Sequence, residues 1–136
     1  MERITLTRTG QAPLVFDGER IADGDTQWIA GREHNRWHVA AVYRTAAGTY
    51  VVAVAFQTKW QGEQDRQWAV PASAGREVET LLREIGAESQ ALPVGYPAGE
   101  AYAEKQARML VDLAARYDHL VSEILGAHPD FAERLE

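Results

Sequence analysis

"RWHVAAVYRTAAGTYVVAVAFQTKW", residues 36–60, decides the fold. The segment "TAAGT", 45–49, suits a three-residue hairpin loop, a type I turn closed by Gly48 in the left-handed conformation. That loop pairs Thr45 with Thr49, Arg44 with Tyr50, and so on outward along both strands. One face then holds His38, Ala40, Val42, Arg44, Tyr50, Val52, Val54 and Phe56. The other holds Trp37, Val39, Ala41, Tyr43, Val51, Ala53, Ala55 and Gln57. Both faces are apolar in the middle, unlike a sheet with one wet side, so the hairpin is expected at the centre of a sheet and covered on both sides. The alanine-rich face allows a helix or a second subunit to approach closely.

Outward from the hairpin, the amino-terminal half reads as further strands. "ERITLTR" alternates, with Ile4 and Leu6 on one face and Thr5 and Thr7 on the other. Asp17-Gly18 predicts a turn between "LVF" and "RIA". "DGD" at 23–25 predicts a second break, and "AGREHN" at 30–35 a polar loop. "DRQWAVP" at 65–71 reads as one more strand, stopped by Pro71.

The second half reads as helical. Ser73 is a plausible N-cap for a helix over about 74–86. Val78, Leu81, Leu82 and Ile85 form its stripe, and Gly86 its stop signal. "ALPVGYPAG", 91–99, is a connector. A long helix over about 100–126 follows, with Ala103, Leu110, Leu113, Tyr117, Leu120 and Ile124 at 3,4 spacing, interrupted by Gln106. Ala107, Val111, Ala114, Val121 and Leu125 widen the stripe, which suits packing on a sheet or bundle. At about 1.5 Å per residue this helix is roughly 40 Å long, longer than strands of about 20 Å. The overhang predicts a homodimer or a protein partner held by Leu110, Leu113, Tyr117, Leu120 and Ile124. "HPDFAERLE" reads as a short final helix. The expected architecture is a single α+β domain over 1–136: an antiparallel sheet of five or six strands packed by two C-terminal helices.

Two stretches carry a resemblance. Phe16-Asp17-Gly18-Glu19-Arg20-Ile21-Ala22 and Tyr43-Arg44-Thr45-Ala46-Ala47-Gly48-Thr49-Tyr50 resemble the middle of the small bacterial proteins of the EXLDI family, over roughly residues 14–55. The family's N-terminal helical segment and its terminal motif have no counterpart here. The resemblance implies a sheet-forming unit of bacterial or mobile-element proteins, and it brings no activity with it.

Composition narrows the chemistry. The chain has 136 residues, 46% hydrophobic and 25% charged, in the range of an ordinary globular domain. It has no cysteine, which excludes disulfides, thiol nucleophiles and cysteine-ligated metals. "MERITLTRTG" has no apolar core of a signal peptide, and no run approaches the roughly 18 apolar residues of a membrane span; the expected location is cytoplasmic, with no membrane partner. The net charge of −6 is uneven: residues 1–72 carry eight Lys/Arg against eight Asp/Glu, and residues 73–136 carry six against twelve. Bulk attraction to nucleic-acid phosphate is not favoured by that balance.

Motifs exclude more than they assign. His34 and His38 straddle a loop and a strand, and His119 and His128 sit apart, so no metal-ligand spacing is present. Ser73, Ser89 and Ser122 are the serines, none in a nucleophile elbow. Glu63 and Asp65 are carboxylates without a partner motif. There is no phosphate-binding glycine loop, and no cofactor or metal is expected. The remaining signal is aromatic and basic: Trp28, Trp37, Trp60 and Trp68 fall within 41 residues, interleaved with Arg32, Arg36, Arg44, Lys59 and Arg66. Such a set either fills a small core or forms a surface for protein hot spots or base stacking. The hairpin's middle is expected to be core. Its ends and the adjoining loop edge, Arg36, Trp37, His38, Lys59, Trp60, Arg66 and Trp68, are the expected binding surface. The favoured reading is a non-enzymatic binding or regulatory protein of bacterial or phage type acting through protein contacts. A nucleic-acid-binding module is the first alternative. A small hydrolase or nuclease is the second, and it needs His34 or His38 within hydrogen-bond reach of a carboxylate in a pocket.

Overall fold

The computed structural model describes residues 1–26, 36–59, 64–90 and 100–132. Trp28, Arg32, His34, Trp60, Glu63, the 91–99 connector and the side chains of Ala103 and Gln106 lie outside the described set. Five strands, β1 (Glu2–Arg8), β2 (Gln11–Asp25), β3 (Arg36–Thr45), β4 (Tyr50–Thr58) and β5 (Arg66–Ala72), precede two helices, α1 (Glu77–Gln90) and α2 (Glu100–Ala127), and a 3₁₀ turn at Pro129–Phe131. The strands form one antiparallel meander in the order β1-β2-β3-β4-β5.

The hairpin register is the one its loop dictates, running from Arg44↔Tyr50 to Arg36↔Thr58. The Gly48 amide donates to the Thr45 carbonyl at 3.0 Å, and the Thr45 amide to the Thr49 carbonyl at 2.8 Å. Gly48 has φ +84°, the left-handed conformation that glycine adopts without strain.

The helices cover one face of this hairpin. α1 lies over β4 and β5, and α2 over β2 and β3. Ala40, Val42, Val52 and Val54 meet Val78, Leu82, Leu120, Val121 and Ile124 in one continuous core. Full burial of each such Leu or Ile side chain stabilises by about 1.5–3 kcal/mol. The expectation of cover on both faces holds only in part. Among the described residues no helix packs on the alanine-rich face; the sheet curls around it instead. At the seam of the curl the Thr9 amide donates to the Gln67 carbonyl (3.0 Å), and the Gln67 amide to Thr9 Oγ1 (2.8 Å).

Several local expectations are corrected. Asp17-Gly18 makes no turn, and "DGD" makes no break; both lie inside the single strand β2. Gly18 is required by proximity: a Cβ there would lie 2.5 Å from the Arg44 carbonyl oxygen on β3. The irregularity in β2 is a register shift between Arg20 and Ala22, which bends the strand. The true turn between β1 and β2 uses Gly10, at φ +76°. Pro71 does not stop β5, which continues to Ala72; as an edge strand β5 tolerates the missing amide. α1 begins at Glu77, whose carboxylate accepts from the Ser73 amide (3.0 Å) and hydroxyl (2.9 Å). α1 also runs through Gly86 to Gln90. Gly86 is buried because the Tyr117 ring rests on it, 2.3 Å from where a Cβ would stand. The carboxy-terminal helix reduces to the 3₁₀ turn, and residues 133–136 lie outside the described set.

Candidate functional site

The hairpin ends divide between core and surface. Arg36 and His38 are buried, contrary to the expectation of a binding surface. Their side chains share the face that the helices cover, because the fixed register gives them the parity of Ala40 and Val42. Arg116, reaching in from α2, explains the closure there: its Nη1 donates to the carbonyls of Arg36 (3.3 Å) and Thr26 (3.4 Å), and its Nε to Asp112 (3.0 Å). Arg66 is engaged as well. Its Nη2 donates to the Ser89 carbonyl at 2.9 Å, and its guanidinium lies over the Phe56 and Trp68 rings, with centroids at 5.7 and 5.3 Å. Trp68 is half-buried on the same side. Trp37, half-buried, and Lys59, exposed, form a cation–π pair at 5.7 Å on the opposite face. Of the basic residues expected at the hairpin ends, Lys59 is exposed, whereas Arg36 is buried and Arg66 is tied into the α1–β5 packing.

The interface residues expected on α2 are largely interior. Leu113, Tyr117, Leu120 and Ile124 are buried inside the chain, and Leu110 is half-buried. The stripe serves the chain's own sheet, so it is not free for a partner.

His38 and Ser89 form a pair that the sequence did not announce. Nε2 and Oγ lie 2.7 Å apart, both fully buried, and the imidazole packs on Phe56 and Tyr117. The Ser89 hydroxyl donates to the Gly86 carbonyl at 2.9 Å. Its oxygen therefore accepts from His38 Nε2–H, which places the lone pair on Nδ1. That atom has no partner among the described residues. Burial above all, then the charges of Arg116 and Arg66, push His38 down to about 3, so the ring is neutral. A histidine that donates to a serine is wired opposite to a general base, which must accept the serine's proton. The pair holds α1 to β3. The hydrolase reading asks for His34 or His38 against a carboxylate; His38 faces a serine and two aromatic rings instead, and His34 lies outside the described residues.

A second polar cluster closes the far end of the sheet. Tyr50 donates to Asp130 Oδ2 at 2.6 Å, with Arg44 3.7 Å from the same oxygen and His128 Nδ1 3.5 Å from Oδ1. The Tyr50 hydroxyl, with smaller help from His128 and Arg44, holds the Asp130 carboxyl below its ordinary value. Phe131 is buried beside the Tyr50 ring. The cluster docks the last turn onto β4.

The open feature is the concave face. Its inward residues include Phe16 and Tyr43, whose rings meet edge-on at 5.6 Å. Between them and β5 lies a trough of about 330 Å³, lined by Leu6, Val39, Ala41, Tyr43, Ala53 and Ala55, with Thr5, Thr7, Arg20 and Gln67 at its rim. The cross-strand pairs Ala41↔Ala53 and Val39↔Ala55 set its floor. Small side chains on adjacent strands leave the inside of the curl unfilled, and Val39 stays 37% exposed. The alternation of the hairpin marked this face as alanine-rich; only the curl of the sheet turned it into a concavity. Among the described residues no group of three or more metal-ligating side chains gathers, and no helix is long and apolar enough to cross a membrane.

Comparison of the chain with protein-family models, curated proteins and solved structures finds no match.

Proposed function

We propose that the chain is a non-enzymatic binding protein whose recognition surface is the trough on the concave face of the sheet. One observation carries this reading: an apolar floor of alanines under a polar rim, with a volume of about 330 Å³. That volume sits at the lower end of small-molecule sites, which run about 300–1,000 Å³ and are mostly apolar with a few polar groups. Dispersion between the floor and an inserted molecule replaces contacts that the sheet does not make with itself. The EXLDI resemblance supports reading it as a module of bacterial or mobile-element proteins.

The test is fluorescence of a neutral apolar probe, N-phenyl-1-naphthylamine, titrated with the protein. Wild type is expected to enhance the emission. Ala55→Phe, which fills the trough from a half-exposed position, is expected to lose the enhancement with an unchanged circular dichroism spectrum. Absence of enhancement by wild type, or its full retention in folded Ala55→Phe, overturns the reading.

A second reading, docking of a partner protein or second copy on α2, is favoured by Val111. It is 71% exposed on the outward side of the helix, away from the buried stripe. Val111→Glu is expected to lower the solution mass if that surface pairs.

A further inference from the structure

The trough's described lining carries a single charge, while Asp23 and Asp25, paired with Ala41 and Val39, border the same face from β2. Arg20 is the only charged side chain among the described lining residues; Thr5, Thr7 and Gln67 beside it are neutral. Arg20 is held on the concave side by its register opposite Tyr43, just before the shift that bends β2. Among the described residues it pairs with Asp23, with Nη1 to Oδ2 at 3.4 Å and both side chains more than half exposed. An exposed pair of this kind contributes little and exchanges readily for a better acceptor. A guanidinium has five N–H donors in a planar fork that matches a carboxylate or sulfonate, so most of its capacity is open to a ligand.

Resting on the trough as the recognition surface, we propose that its ligand is an anionic amphiphile: a compact apolar body on the alanine floor and one anionic group on Arg20. Arg20 chooses the ligand's charge, and the floor chooses its bulk. A neutral molecule of the same shape binds through the floor alone. Asp23 acts as an internal competitor that the incoming anion displaces.

The experiment compares two probes of nearly the same body, 8-anilinonaphthalene-1-sulfonate and neutral N-phenyl-1-naphthylamine, by fluorescence titration at low and high salt. The sulfonate is expected to bind about tenfold more tightly at low salt, with the difference shrinking as salt screens the charge. Arg20→Gln is expected to remove that preference and leave the neutral probe's affinity unchanged. Asp23→Asn is expected to strengthen sulfonate binding alone. Ala55→Phe is expected to abolish both, with unchanged circular dichroism. Equal affinities for the two probes, or a sulfonate affinity indifferent to Arg20→Gln, overturns the anionic assignment while the trough stands. Failure of both probes to bind overturns the trough itself.

Discussion

Burying a histidine whose Nδ1 has no hydrogen-bond partner among the described residues sets an acid limit on the fold. His38 sits at about 3 when folded, against 6.5 for the free side chain. The unfolded chain therefore binds this proton more readily. Stability is complete above about pH 6.5 and drains as pH falls toward 3, with a slope approaching about 1.4 kcal/mol per pH unit. Chemical denaturation between pH 3 and 8 checks this, and His38→Gln is expected to flatten that limb. Asp130, held below its ordinary 3.8, acts in the same direction: its share is present above that value and lost as pH falls further. At this scale the sequence was least legible. His38 could be assigned a face but not a partner, because Ser89 lies on another element, 51 residues away. Likewise Arg36 looked like a surface cation. Its parity with His38 and Ala40 puts it on the face that the helices cover, where Arg116 on α2 clasps the ends of β2 and β3.

Elements were legible where their signals are local. The hairpin loop contains its own register, and the α2 row Leu113, Tyr117, Leu120 and Ile124 contains its own face, so both match the structure; Ala107 and Val111, read as widening that row, are exposed instead. Glycine was misread twice for one physical reason. Asp17-Gly18 and Gly86 carry the local marks of a turn and a helix stop, yet each is small because another element comes close: β3 at Gly18 and the Tyr117 ring at Gly86. Helix propensity favours Ala over Gly by about 0.8–1 kcal/mol, so Gly86→Ala would stabilise an isolated α1. In the folded protein the new methyl meets the Tyr117 ring, and the expected result is destabilisation by about 1–3 kcal/mol. Thermal or urea unfolding gives the sign. In the Tyr117→Leu background the penalty is expected to shrink, a coupling that a double-mutant cycle measures. Tyr117→Leu has its own cost, because the Tyr117 hydroxyl donates to the Leu82 carbonyl across the two helices at 2.5 Å.

For the whole molecule, the long helix was expected to overhang the sheet and seek a partner, and its stripe turns out to be spent within the chain. Leu113→Glu and Leu120→Glu each place a carboxylate in a sealed core and are expected to unfold the protein. Circular dichroism checks this; folded monomers obtained from a dimeric wild type would mark the stripe as an interface instead. The α+β class and the assignment of strands and helices to the two halves were readable because periodicity alone sets them. The concavity was not, since it depends on how far the sheet curls, which Thr9 and Gln67 settle from opposite ends of the meander.

The clasp between Tyr50 and Asp130 bears on how this chain is made. A ribosome releases β3 and β4 well before all the segments that cover them; α1 emerges first, over β4 and β5, and the cover is complete only when Leu120, Ile124 and finally Phe131 emerge. At roughly 5–20 residues per second, that interval is about 4–15 s. The sheet cannot complete its core as it is synthesised, so the nascent hairpin is the stage at which this protein most needs a chaperone's shelter.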